Sequence, residues 1–147
     1  MAETSAEGEP EPTPAWHARM LLRAARAATL ATVADGQPFA SLVTPACAPD
    51  LSLLLWISML SEHTRHLRAD ARCSLLVSGP PAGANPQTAL RLTLTGIALP
   101  DADPALKARW LAVHPYAALY AGFADFTIWR IRPAQALFVG GFARAAG

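Results

Sequence analysis

Apolar and polar residues alternate along much of this chain, and that pattern predicts short β-strands. The clearest case is Thr88 to Leu99, where one face carries leucines and the other carries polar side chains. The two sets are Leu90, Leu92 and Leu94 on one face and Arg91, Thr93 and Thr95 on the other. We therefore expect one face of this strand to join the core and the other to form a polar wall.

A hairpin and a buried strand precede this segment. Asp35-Gly36 is the strongest hairpin signal, and it joins a β-prone run, Thr29 to Ala34, to a return strand, Gln37 to Thr44. After a turn at Pro45 to Asp50, the continuous apolar run Leu51 to Ser58 predicts a strand that is buried on both faces or covered by a neighbouring chain. The remaining predicted strands are Arg72–Ser78, Phe126–Ile131 and Gln135–Val139, the last two separated by Arg132-Pro133.

Helical segments flank these strands. Trp16 to Ala28 has an amphipathic pattern, and a helix is expected from the turn after Ser58 to about Asp70. Asp103 to His114 begins with a proline in its first turn, and a short helix follows at Pro115 to Gly122. The order of elements predicts a mainly β (α+β) fold, a small β-barrel of six to seven largely antiparallel strands with flanking helices.

Composition limits the function classes. The chain has 147 residues, enough for one domain at 15–147 after an acidic, proline-rich tail at 1–14 that we expect to be disordered. Hydrophobic residues make up 52% and charged residues 16%, which favours an oligomer with apolar surface covered by a partner chain. The net charge of +1 argues against nucleic acid or an anionic membrane as partners.

The cysteines and the lengths of the apolar runs indicate where in the cell the protein is found. Cys47 and Cys73 lie in apolar contexts without CxxC spacing, which is typical of buried thiols in a reducing compartment. No apolar run reaches the roughly 18 residues of a membrane span. We therefore expect a cytoplasmic protein.

The segment Ser58-Met-Leu-Ser-Glu-His-Thr-Arg-His66 carries the candidate chemistry. A strand that runs into a helix start brings backbone N–H groups, the helix dipole and short polar side chains to one point, which suits a phosphate. The alternative is an ordinary surface helix capped by Ser61, with Thr64 and Arg65 in water. His63 and His66 have a spacing that a metal site can use, but no third ligand is placed nearby, so no metal is expected.

Several motifs together resemble a known family. They are Pro38-Phe-Ala-Ser-Leu-Val-Thr44, the Ser58 to His66 segment, Arg91-Leu-Thr-Leu-Thr-Gly96, the segment His114 to Phe123, and Val139-Gly-Gly-Phe-Ala-Arg144. In this order they resemble the pyridoxamine 5'-phosphate oxidase-like FMN-binding split barrels, closest to the branch that includes haem-utilisation proteins. The resemblance covers nearly everything after residue 18.

The resemblance implies a homodimer that holds FMN at its interface and acts as a flavin-dependent oxidoreductase on a small-molecule substrate. It assigns the flavin ring to the backbone of Ser41, Leu42, Val43 and Thr44. It assigns the phosphate to Ser58, His63, Thr64 and Arg65. It also places Arg91 and Phe138 near the cofactor and Arg144 on the substrate side.

Departures from the family keep alternatives open. His66 stands where relatives often have Asn, which alters the ligand pattern of the turn, and the chain ends at Gly147, before the substrate-binding Arg and His of the vitamin-oxidising members. One alternative is a non-catalytic flavin- or haem-binding dimeric module, and another is a purely structural dimer. Arg91 pairing with a surface acid and a deazaflavin in place of FMN are further alternatives.

Overall fold

The computed structural model describes residues 12–140 and the backbone of residues 145–146. Its strands form one antiparallel sheet in the order β2-β1-β5-β6-β7-β4-β3, with β8 paired to β7. The strands are β1 Ala28–Ala34, β2 Gln37–Val43, β3 Ala46–Cys47, β4 Leu53–Ser58, β5 Arg72–Ser78, β6 Leu90–Pro100, β7 Phe126–Gly140 and β8 Ala145–Ala146. The helices are α1 Pro14–Ala24, α2 Glu62–Ala69 and α3 Pro104–Val113, with 3₁₀ turns at Pro86–Thr88 and Pro115–Tyr120.

The predicted hairpin is confirmed. β1 and β2 pair from Ala28 with Val43 to Ala34 with Gln37. The two turn residues have positive φ, 51° at Asp35 and 78° at Gly36, which is the geometry that an Asp-Gly hairpin turn requires. In the described part of the chain β2 has β1 as its one neighbour, so β2 is an edge strand.

Strand β4 is buried on both faces, as its apolar run predicts. Leu53, Leu55 and Ile57 belong to the large core inside the sheet. Leu54 and Trp56 point the other way into a smaller core that α3 completes. The strand begins at Leu53 because Leu51 has a φ of 71° and belongs to the preceding turn. That turn also holds the short strand β3, where the sequence predicted none.

The two strands predicted at the C-terminal end are one strand, β7. Its register with β6 shifts between Thr95 and Gly96, where Gly96 opposes Pro133. Proline lacks an N–H, and a β-bulge lets the strand continue past it. Gly96 is needed here, because a Cβ at this position would lie 2.3 Å from the carbonyl oxygen of Arg132.

Helix α1 is shorter than predicted and begins earlier. It starts at Pro14 after the Thr13 cap and ends at Ala24, because Ala25 is extended and Ala28 already pairs with Val43. A disordered tail was predicted at residues 1–14, of which residues 1–11 lie outside the described part. No helix among the described residues is long and apolar enough to cross a membrane.

Candidate functional site

A cavity of about 300 Å³ lies where the ends of β2 and β4 meet the start of α2. Its lining residues are Leu42, Val43, Thr44, Trp56, Ile57, Ser58, Ser61, His63 and Phe126. Five of these were predicted as cofactor contacts from the sequence: Leu42, Val43, Thr44, Ser58 and His63. The fold therefore brings the predicted ring segment and the predicted phosphate segment to one place.

The Ser58 turn, residues Ser58 to Ser61, joins β4 to α2. Ser61 occupies the N-cap position of α2, yet its side chain makes no capping hydrogen bond. Its hydroxyl instead donates to the carbonyl oxygen of Ser58 at 2.8 Å. The ordinary capped helix considered above is therefore not what forms, and the N–H groups of the first helical turn have no side-chain cap from Ser61.

Thr64 lies beneath this turn and is fully buried. Its Oγ1 donates to the carbonyl oxygen of Ser58 at 2.6 Å and lies 2.7 Å from the hydroxyl of Ser61. The side chain thus holds the turn in shape from inside the protein. Its predicted contact with phosphate stays a prediction.

Ser58 has a partner that the sequence did not reveal. Its Oγ donates to Oδ2 of Asp125 at 3.0 Å and accepts from the backbone N–H of Leu60 at 3.1 Å. Asp125 lies 67 positions further along the chain. No local motif links the two residues, and only the pairing of β4 with β7 brings them together.

His63 is half-buried on the wall of the cavity. Its Nδ1 lies 3.1 Å from the hydroxyl of Ser41, so two predicted cofactor residues are hydrogen-bonded to each other. Burial lowers the pKa of His63, and the nearby His66 lowers it further. Both effects favour the neutral imidazole, which offers one donor and one acceptor.

His66 does not line the cavity. It is buried, its Nδ1 lies 2.9 Å from Oγ1 of Thr32, and its ring meets that of Phe39 edge-on with centroids 4.8 Å apart. Its Nε2 lies 3.6 Å from the carboxylate of Glu62. His66 therefore fixes α2 against the β1–β2 hairpin.

Arg65 is exposed and pairs with Glu62, one turn back on the same helix. It is not among the residues that line the cavity. Exposed pairs of this kind contribute little free energy, so Arg65 can leave Glu62 for a better anion. Its role as a phosphate ligand stays a prediction.

Two further predicted residues, Arg91 and Phe138, are not among those that line the cavity. Nη1 of Arg91 donates to the carbonyl oxygens of Gln87 and Ala89, at 2.7 and 3.1 Å. Phe138 is buried and stacks on the ring of His17 at 5.7 Å, beneath α1. Arg144 lies outside the described residues. The cofactor roles of Arg91 and Phe138 and the substrate-side role of Arg144 stay predictions.

Helix α3 and the turn that follows it hold the chain just beyond β2. Nε1 of Trp110 donates to the carbonyl oxygen of Thr44 at 2.9 Å, and Nε2 of His114 donates to that of Pro45 at 2.8 Å. Nε of Arg109 donates to the carbonyl oxygen of Cys47 at 3.1 Å. We call these three side chains the α3 clamp. The sequence did not reveal it, because indole and guanidinium groups that bind carbonyl oxygens have no spacing signature.

Metal binding has no support from the described residues, among which no group of three or more His, Cys, Asp or Glu side chains is placed to hold an ion. Cys47 and Cys73 are buried free thiols. Burial raises the pKa of the Cys73 thiol to about 11, which keeps it protonated.

Comparison with known proteins identifies relatives of this chain. The family model described as pyridoxamine 5'-phosphate oxidase matches residues 14–140. The non-canonical heme oxygenase HOZ of Arabidopsis thaliana, a chloroplastic protein, is 38% identical over 114 residues. That match covers 76% of this chain and 34% of the relative, so this chain spans about a third of that protein's length.

Solved structures extend the likeness. A heme binding protein from Mycobacterium smegmatis is 32% identical with a TM-score of 0.86, over 94% of this chain and 58% of that one. The heme storage protein HutZ from Vibrio cholerae shares the fold at 20% identity, with a TM-score of 0.66 over 81% and 89% of the two chains. These likenesses confirm the predicted mainly β split-barrel fold and the resemblance to its haem-utilisation branch.

Proposed function

The chain belongs to the pyridoxamine 5'-phosphate oxidase family, and on that basis we propose that it binds FMN in the cavity beside the Ser58 turn. The observation that carries the proposal is that one cavity joins the end of an edge strand to the uncapped start of a helix. The end of the edge strand suits a flavin ring, and the uncapped helix start suits a phosphate. We further propose that the protein is a flavin-dependent oxidoreductase acting on a small molecule.

The edge strand supplies the ring contacts. Every second N–H and C=O of an edge strand points away from the sheet, so β2 carries backbone groups that β1 does not use. Leu42, Val43 and Thr44 line the cavity on this side. A flavin ring edge carries both donors and acceptors, and backbone N–H and C=O groups match them without a charged side chain.

The helix start supplies the anion contacts. The first-turn N–H groups of α2 and the positive end of its dipole favour negative charge at this point. Arg65 lies within the same turn and adds a cation that its exposed partner holds only weakly. His63, between the two ends of the cavity, bonds to Ser41 and orients the strand toward the ligand.

Bound FMN would supply the electron transfer, and the chain would supply binding, orientation and exclusion of water. The volume of about 300 Å³ is at the low end for ligand sites, which range over roughly 300 to 1,000 Å³. Leu42 at the cavity is 76% exposed. Both features are typical of a half-site, and we propose that a second copy of the chain covers it in a homodimer.

The first test is an absorption spectrum of the purified protein with and without added FMN, together with its mass in solution. A flavin band that stays with a dimeric protein through gel filtration supports the proposal. A protein that remains colourless and leaves FMN unbound contradicts it. Oxidation of reduced nicotinamide by the loaded protein would then separate an enzyme from a binding module.

A haem-binding module is the second candidate. Two relatives that are more than 30% identical to this chain carry heme in their names. His63 supplies an imidazole on the wall of the cavity, which is the kind of group that ligates haem iron. Titration with hemin beside FMN separates the candidates, because a haem-binding module should show a haem Soret shift that His63→Ala abolishes and should leave added FMN unbound.

The buried reduced thiols of Cys47 and Cys73 favour a reducing compartment, and we propose the cytoplasm.

A further inference from the structure

The hydroxyl groups of the proposed phosphate site already use their hydrogens in hydrogen bonds within the protein. A serine or threonine hydroxyl has one hydrogen to donate. The hydroxyls of Ser61 and Thr64 lie 2.8 and 2.6 Å from the carbonyl oxygen of Ser58 and 2.7 Å from each other, so the hydrogens of both are engaged among these three oxygens. The hydroxyl of Ser58 donates to Asp125. In this geometry Ser58 presents a lone pair to an incoming anion, and a carboxylate stands behind it.

Asp125 is held firmly in that position. Its backbone carbonyl oxygen accepts from the N–H of Met59 at 2.7 Å, so the loop before β7 is bonded to the Ser58 turn. Phe126, the next residue, pairs with Ser58 across the sheet. The carboxylate is half-buried, and within residues 12–140 no Lys, Arg or His nitrogen lies at ion-pair distance from it.

The other carboxylate near the turn differs from Asp125. Glu62 pairs with Arg65, and both side chains are more than half exposed. Water screens such a pair, and either side chain can turn away at little cost. The carboxylate of Asp125 is less screened by water and less mobile than that of Glu62. Its charge is therefore the one that would repel a bound phosphate.

We propose that Asp125 is a specificity-determining residue whose charge weakens the binding of ligands with a phosphate, relative to the same ring without one. This inference rests on the proposed flavin site. A dianionic phosphate and a carboxylate on either side of one serine repel each other, and partial burial strengthens that repulsion. The preference of the site for FMN over riboflavin is therefore smaller than the preference that the helix start would give without Asp125.

The test compares the dissociation constants of FMN and riboflavin, measured by flavin fluorescence quenching. Asp125→Asn should tighten FMN binding by about tenfold and change riboflavin binding less than about twofold, because riboflavin carries no phosphate. The control is Asp35→Asn, which removes the same charge at the tip of the β1–β2 hairpin, where Asn accepts the positive φ. This control should change neither constant.

A second variant tests the hydroxyl of Ser58. Because its hydrogen belongs to Asp125, Ser58→Ala should lower FMN affinity by less than about threefold, the loss expected when no direct bond to the ligand is removed. A loss of more than tenfold that spares riboflavin would mean that Ser58 donates to the phosphate, and the proposal would be wrong.

Other outcomes are equally decisive. The proposal is overturned if Asp125→Asn leaves FMN binding unchanged or weakens it, or if it tightens both flavins equally, since the carboxylate would then act through shape. If the wild-type protein binds neither flavin, the proposed function itself fails and this inference fails with it. Wild-type binding of FMN with no effect of the substitution removes the inference alone.

Discussion

His63 shows how one residue links the site to the stability of the whole chain. It lies on the cavity wall, bonds to Ser41, and has a pKa lowered from 6.5 by burial and by His66. Its neighbour in sequence, Thr64, has no access to solvent. Two adjacent residues of one motif thus have different tasks, one facing the cavity and one supporting the turn.

The lowered pKa of His63 predicts a specific dependence of stability on pH. Below pH 6.5 the unfolded chain takes up a proton that the folded chain resists, so the free energy of unfolding should fall as the pH drops below 6.5. His63→Asn should remove part of this fall. Urea unfolding of both proteins between pH 5 and 8 measures it, and parallel curves for the two would contradict the prediction.

Individual site residues were predictable only where a local motif carried them. The family resemblance assigned Thr44, Ser58 and His63 to the site, because each lies within a short motif that can be matched in sequence. Asp125 and the α3 clamp were missed because their contacts join segments more than 60 positions apart. Arg91 was placed on the polar side of its strand, but the carbonyl oxygens that it binds come from a loop without periodicity.

At the scale of elements, the α3 clamp connects a helix to the strand that we propose to read the flavin. Trp110→Phe keeps an aromatic ring but removes the N–H that binds the carbonyl oxygen of Thr44. We expect a loss of about 1 to 2 kcal/mol in the free energy of unfolding, because a partly buried acceptor loses its partner. We also expect weaker FMN binding.

The matched control is Trp129→Phe. Trp129 is as buried as Trp110, and its indole donates no hydrogen bond among the contacts of the described chain. It should change stability through packing alone and leave the FMN affinity near that of the wild type. Equal effects of the two substitutions on FMN would show that the clamp does not position Thr44.

The β-bulge makes the second prediction at this scale. Gly96→Ala would place a Cβ 2.3 Å from the carbonyl oxygen of Arg132, and backbone cannot move aside as a flexible side chain can. We expect a loss of about 2 kcal/mol or more in the free energy of unfolding. Gly83→Ala, where no atom lies within 4 Å of the new Cβ, should be close to neutral in the same urea titration.

The elements themselves were predictable where burial decides the pattern. β4 and β6 follow from runs and alternations that only a strand explains, and the Asp35-Gly36 turn fixes the hairpin. The sequence failed at β7, because Pro133 normally ends a strand and the bulge that rescues it depends on Gly96 across the sheet. It also extended α1 too far, because the pairing of Ala28 with Val43 overrides helical propensity.

At the scale of the molecule, the outer face of the sheet carries two exposed leucines on either side of the polar face of β6. Leu76, Thr93 and Leu137 are register partners in one row across β5, β6 and β7. The two leucines are 43% and 48% exposed. Exposed leucines on the sheet face of a protein with few charges are typical of a surface that another chain covers.

We therefore predict that Leu137→Lys shifts the protein from dimer to monomer and weakens FMN binding together with dimerisation. Leu119→Lys serves as the control, because Leu119 is 85% exposed but lies on a 3₁₀ turn outside the sheet. Sedimentation equilibrium of both variants gives the masses, against 15.5 kDa for one chain. A dimer that survives Leu137→Lys would place the interface elsewhere.

The pairing of β4 with β7 also determines when the cavity can form during translation. The Ser58 turn takes its final shape only when Asp125 and Phe126 arrive, and these residues are synthesised long after Ser58. During translation the first hairpin and the Ser58 turn are synthesised first, but the cavity lacks the wall that Phe126 forms until the start of β7 leaves the ribosome. We therefore expect the proposed cofactor to bind late, and a truncated chain that ends before β7 should not bind it.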